Sequence, residues 1–221
     1  MPKGVIIEFD FAAMDGAGLL FETTRKFLKD LDGIPFDEVV EARYMAGFNY
    51  HGAFAEYFPV VKTKKTAAKA ALDLFTTFEA ALNDAVPKSI TPGFRNFVKT
   101  LSAKGVKVVI ATRAAEAAVE PAFRPMLGAD VVLYHEDSPT YGCVKWDLWR
   151  RACAACGLRH VTTVAVTGSG NGVKSALYAG MASMAVSSRR TEYQDHTGAN
   201  AIVSALNADA AREVLKILRV K

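Results

Sequence analysis

The sequence predicts an α/β fold: a doubly wound parallel sheet that carries an inserted all-helical cap. Two observations predict the sheet. Short apolar runs, such as Val5-Ile6-Ile7, recur along the chain and end in polar residues. That is the pattern of strands buried on both faces. Helical segments that stop at glycine separate these runs. A third observation predicts the insert. Between residues 16 and 88 the alternation stops, and helical stretches follow one another with no convincing strand. The expected core is residues 1–15 and 89–221, and the expected cap is residues 16–88.

The first strand is Val5-Ile6-Ile7, with Glu8 and Asp10 at its tip. The insert follows, with helical stretches at 17–31, 37–46, 51–57 and 64–85 and a first turn at Gly33-Ile34-Pro35. Its rings, among them Phe21, Phe54 and Phe78, are expected to form the cap's own core. Residues 93–104 follow Pro92 as a helix and stop at Gly105. The second strand is 106–111, ending in Thr112-Arg113. A helical segment at 114–127 must break or kink at Pro121 and Pro125, because proline lacks the N–H a helix interior needs. A third strand at 131–134 precedes a helix at 145–156 that stops at Gly157. The fourth strand, 161–166, ends in Thr167-Gly168, and a helix at 173–179 stops at Gly180 before a fifth strand at 182–186. Glycine stops of this kind fit left-handed C-caps. Strand and helix alternate, so the strands should run parallel. Ligands of such sheets bind at the carboxyl ends of the strands.

With 221 residues, 51 % of them apolar, the chain can bury one large domain or a core with a small insert. The net charge of +4 is mild and scattered, which gives no support to nucleic-acid binding. The densest basic run, Lys62, Lys64, Lys65 and Lys69, reads as a solvated helix start, with an anion or partner surface as the alternative. No stretch approaches the roughly 20 apolar residues of a membrane span. The N-terminal residues lack the regions of a signal peptide, so a cytoplasmic location is expected. Cys153 and Cys156 form a C-x-x-C with no second pair or histidine pair to complete a zinc site. They read as small buried helix residues.

The layout, together with Ile90-Thr91-Pro92-Gly93-Phe94 leading to Leu101-Ser102-Ala103-Lys104-Gly105-Val106, and Ser175-Ala176-Leu177-Tyr178-Ala179-Gly180-Met181, resembles the haloacid dehalogenase-like superfamily. It looks most like the branch with a helical cap after the first strand, which includes phosphoglycolate-phosphatase-like and β-phosphoglucomutase-like enzymes. The resemblance implies four motifs. The first would place an aspartate nucleophile and an aspartate acid/base at the first strand tip; here Glu8 stands at the nucleophile position, Asp10 at the acid/base, and Phe11-Ala12 replace Gly-Thr. The glutamate carboxylate reaches about 1.5 Å further, and misplacing a reacting group by about 1 Å can cost ~100-fold in rate. The second motif, a strand-end hydroxyl that binds phosphate, matches Thr112, with Arg113 beside it. The third is a lysine; the ungapped match puts Cys143 there, and Lys145 lies two residues on. The fourth holds Mg²⁺ with two aspartates; here Ser169 and Gly172 or Val173 stand in their places.

The resemblance therefore implies a pseudoenzyme that needs no cofactor, with Mg²⁺ relevant only to residual activity. Glu8, Asp10, Thr112 and Lys145 are the vestigial or candidate catalytic positions. Arg113, Gly168, Ser169, Gly170 and Asn171 are the candidate ligand-binding positions, because backbone N–H groups at a helix N-terminus suit an anion. The alternative for that loop is that its glycines merely fill space. Three functions stay open: a silent domain that binds a small anion or a protein partner, a weak phosphatase on a small phosphate ester, and a structural subunit of an assembly. No membrane role is expected.

Overall fold

The computed structural model describes residues 2–45, 50–136 and 146–220. Its centre is a six-stranded sheet in the order β3-β2-β1-β4-β5-β6. The strands are β1 (Gly4–Glu8), β2 (Lys107–Thr112), β3 (Val131–His135), β4 (Thr163–Thr167), β5 (Ala182–Val186) and β6 (Ala201–Val203). Every neighbouring pair runs parallel. β1 lies between β2 and β4, with Glu8 opposite Ala111 and Ile7 opposite Val166. That register brings Thr112 and Thr167 to the same end of the sheet as Glu8.

Period-two alternation divides the strands between two apolar layers. Val5, Ile7, Val108, Ile110, Val164 and Val166 share one layer with the helical insert, α6 (Pro92–Ser102) and α10 (Ala208–Ile217). Ile6, Val109, Ala111 and Ala165 face the other, with Trp149 of α8 (Trp146–Ala155) and Ala176 of α9 (Gly170–Tyr178). The buried Trp149 indole N–H donates to Ser175 Oγ at 2.9 Å, which satisfies it away from water.

After β1 the chain makes the short turn α1 (Phe9–Ala12) and enters the helical cap. Its elements are α2 (Gly16–Asp32), α3 (Glu38–Val40), a π-helical turn at Glu41–Met45, α4 (Tyr50–Val60) and α5 (Ala67–Ala85). Phe21, Phe54 and Phe78 are buried there as expected. Gly33, Gly105, Gly157 and Gly180 all have left-handed φ, between 61° and 74°, where a side chain would be strained. Among the described residues no helix is long and apolar enough to cross a membrane.

The structure departs from the sequence reading chiefly in five places. The helix expected at 173–179 starts at Gly170. The fourth strand starts at Thr163, because His160–Thr162 form a 3₁₀ turn. The segment around Pro121 is helical only over α7 (Glu116–Phe123), followed by a 3₁₀ turn at Arg124–Met126. The helix expected at 37–46 is the short α3 followed by the π-helical turn. A sixth strand and α10 follow β5, where the sequence suggested no element. β6 has three residues and none is buried, so no burial pattern announces it.

Candidate functional site

The site sits where β1, β2 and β4 end. Phe9 fixes it. Its fully buried ring packs edge-on against Phe94 of α6 and Phe123 of α7, with both centroids at 5.0 Å. With Phe9 anchored, its two acidic neighbours diverge to opposite strands. Glu8 turns to β4 and accepts a hydrogen bond from the Thr167 hydroxyl at 2.7 Å. Asp10 turns to β2: its Oδ1 accepts from the Thr112 hydroxyl at 2.6 Å and its Oδ2 from the Arg113 N–H at 2.7 Å. The Thr112 oxygen in turn accepts from the Ala114 N–H at 3.1 Å.

Both carboxylates are buried. Burial pushes the Asp10 carboxyl up to about 6, against the opposing pull of Thr112 and the Arg113 N–H, and the nearby Glu8 charge adds to the rise. The Arg113 side chain leaves the strand tip for the cap and pairs with Glu79 of α5 at 2.9 Å.

Only Gly168 and Ser169 join β4 to α9; Gly170, Asn171 and Gly172, which the sequence placed in a loop, form the first turn of the helix. Ser169 caps that helix, its Oγ accepting from the Gly172 N–H at 3.1 Å. The Ser169 N–H points to Thr167 Oγ1 at 3.4 Å, and the Gly170 N–H donates to Gln194 Oε1 at 2.8 Å. Much of the donor set that the sequence offered to an anion is thus engaged within the chain. Asn171 lies in the first turn of α9. Gly168 is required by packing: a Cβ there would overlap the carbonyl oxygen of Phe11. Gly172 is confined in the same way by the Thr167 side chain. We expect Gly168→Ala to destabilise the fold by about 1–3 kcal/mol in urea titration, since backbone rather than a flexible side chain must move. A change below ~0.5 kcal/mol would mean that the glycine is not sterically required.

Phe11 is half-buried, and its ring leans on Phe78 of α5 at a centroid distance of 6.3 Å. The ring that replaces the small residue of the resembled motif therefore connects the strand tip to the cap.

The fold brings Glu8, Asp10, Thr112, Arg113 and the 168–171 segment to one end of the sheet. Lys145 and Cys143 lie outside the described residues. Sequence reasoning missed Thr167, which bonds Glu8; its signal, a hydroxyl at a strand end, is the one that marked Thr112. It also missed Gln194, Glu79 and Asn83, the last accepting from the Ala115 N–H; they come from distant segments and carry no local signal. Cys153 and Cys156 are free cysteines, and burial pushes both thiols above their ordinary range.

Mg²⁺ wants several carboxylate oxygens in near-octahedral array. Asp10 already accepts at both oxygens, Glu8 is tied to Thr167, and positions 169 and 172 offer no carboxylate. Among the described residues no three of His, Cys, Asp and Glu converge on a metal position. Among the described residues, those at the strand tips do not fit the ion.

A family model, haloacid dehalogenase-like hydrolase, matches residues 4–180. Comparison with curated proteins finds no match. Among solved structures, the chain is similar to a HAD hydrolase, family IA, variant 3, from Entamoeba histolytica, with 16% identity, 98% and 99% of the two chains covered and a TM-score of 0.71. It is similar to CbbY from Rhodobacter sphaeroides in complex with phosphate, with 16% identity, 95% and 96% covered and a TM-score of 0.67. It is also similar to β-phosphoglucomutase from Clostridium difficile, with 12% identity, 99% and 100% covered and a TM-score of 0.68. At such identities the likeness is one of fold.

Proposed function

The chain belongs to the haloacid dehalogenase-like hydrolases, and from that premise we propose that it is a silent member, one that no longer transfers phosphoryl groups and acts by binding a protein partner or a small anion. One observation carries this reading. The two described residues that match the resembled motifs, Thr112 and Asp10, are bonded to each other, the Thr112 hydroxyl to Asp10 Oδ1 at 2.6 Å, with the Arg113 N–H closing the second oxygen. A phosphate-binding hydroxyl and an acid/base in this arrangement form a closed polar network. Phosphoryl transfer depends on neutralising charge around the phosphate. Glu8, Ser169 and Gly172 supply neither an aspartate nucleophile nor a metal anchor. The engaged N–H groups of the 168–172 segment favour a protein partner over an anion. A cap of residues 16–88 and a cytoplasmic site of action belong to the same reading; the free cysteines support the latter.

A second reading, a weak phosphatase, has one observation in its favour. Asp10 is pushed up to about 6, close to where a general acid works best near neutral pH. It would act with Thr112 and Lys145. Assay with p-nitrophenyl phosphate and Mg²⁺ separates the two. The silent reading expects wild type and Asp10→Ala to be equal at background. Turnover above background that disappears in Asp10→Ala would establish the phosphatase instead. A role as a structural subunit predicts that the native protein co-purifies in a larger assembly.

A further inference from the structure

Beside the Phe11–Phe78 ring contact, polar contacts at two places join the cap to the core among the described residues. At the tip of β2, Arg113 pairs with Glu79, and the Ala115 N–H donates to Asn83 Oδ1 at 2.7 Å. Glu79 and Asn83 both belong to α5. The second place is made by the segment after β5, which forms a tight turn. The Ser188 N–H donates to Thr191 Oγ1 at 3.1 Å, and the N–H groups of Thr191 and Glu192 donate back to the Ser188 carbonyl at 2.9 and 2.8 Å. The turn presents Arg190 to the cap. Its guanidinium carbon lies 4.1 Å from the centroid of Phe21 in α2, and its nitrogens lie 3.5 Å from Glu41 and 3.7 Å from Glu38. A planar guanidinium suits this combination of aromatic face and carboxylates. Arg190 and Glu41 are only 25 % and 20 % exposed, so water screens their pairing less than that of a surface pair.

A few residues on, the same segment holds α9. Gln194 accepts from the Gly170 N–H, Asp195 pairs with Lys174 at 3.4 Å, and the Asp195 backbone fills the space beside Gly170. One short stretch thus grips the cap at one end and the segment below the strand tips at the other.

We propose that residues 187–198 form a strap that keeps the cap closed over the strand-end site, with Arg190 gripping the cap and Gln194 gripping the first turn of α9. The strap links cap position to the Gly168–Gly172 segment. Its action is independent of whether the site turns over substrate.

Amide hydrogen exchange on the full chain tests it. The Ala115 N–H reports on cap opening, because its acceptor, Asn83, moves with the cap. In Arg190→Ala, the Ala115 and Gly170 amides are expected to exchange at least tenfold faster than in wild type, while the amides of Ile6 and Ile7 in β1 keep their rates. Unchanged exchange at Ala115 would overturn the strap. If β1 accelerates equally, the variant has lost global stability, and the Glu38→Gln/Glu41→Gln double variant decides. There, faster exchange at Ala115 with unchanged β1 supports the strap, and wild-type exchange at Ala115 refutes it.

Discussion

Asp10→Asn is expected to make the protein more stable at pH 7 and to lose that advantage at pH 4. The Asp10 carboxyl is raised from 3.8 to about 6, chiefly by burial. A group whose folded-state pKa is raised contributes stability while it is protonated. That contribution is complete below about 3.8 and is lost as pH rises through about 6. A shift of about two units corresponds to on the order of 3 kcal/mol. Asparagine does not titrate, so the variant escapes this loss. It keeps an acceptor for the Arg113 N–H, and its amide can donate to Thr112 Oγ1, leaving the threonine proton without its former partner. That exchange costs about 1 kcal/mol at every pH. Urea denaturation of wild type and variant at pH 4, 5, 6 and 7 should therefore show their difference moving by about 2–3 kcal/mol in the variant's favour across the range. A difference that stays flat would mean that Asp10 is not held in a desolvating site.

Phe9→Ala should cost about 3–5 kcal/mol, the usual penalty for emptying a fully buried aromatic position. Phe9 is fully buried between Phe94 and Phe123. It also sets the directions of Glu8 and Asp10, so the damage should extend beyond stability. With the ring gone, the turn that sends Asp10 to β2 loses its anchor. Amide exchange at Arg113, whose N–H is bonded to Asp10, should then accelerate more than global unfolding alone allows. Phe9→Leu, which keeps most of the volume, should cost under about 2 kcal/mol and leave Arg113 protected. Equal costs for the two variants would mean that the pocket around Phe9 tolerates a cavity.

These two expectations rest on features of different legibility. That Glu8 and Asp10 stand at a strand tip followed from Val5-Ile6-Ile7, an apolar run with polar residues at its end. That they part company did not follow. In a continuous strand they would point to the same face. The helical turn that begins at Phe9 breaks this rule, and there the Phe9 ring packs against Phe94 of α6 and Phe123 of α7. The glycine segment shows the same division. Its place after the fourth strand was legible, but its glycines were open to two accounts. The close approach of Phe11 to Gly168 and of Thr167 to Gly172 gives them a packing role.

The sequence by itself determined the layers. Apolar runs of strand length, glycine stops and a long helical interruption are local patterns, and burial on both faces of a parallel sheet is what makes them strong. The resemblance the sequence carries implies that Ser169 and Gly172 or Val173 stand where the family has carboxylates. The tertiary structure alone decided what the remaining groups do. Thr112 meets Asp10 across 102 residues of chain and Thr167 meets Glu8 across 159. Such pairings depend on the register of neighbouring strands. Arg190 finds the cap, and Gln194 finds Gly170, through a segment with no periodic signal of its own. Hydrogen bonds are short-ranged and directional and ion pairs are screened by water and salt, so they appear only once the sheet has brought distant residues to the same end.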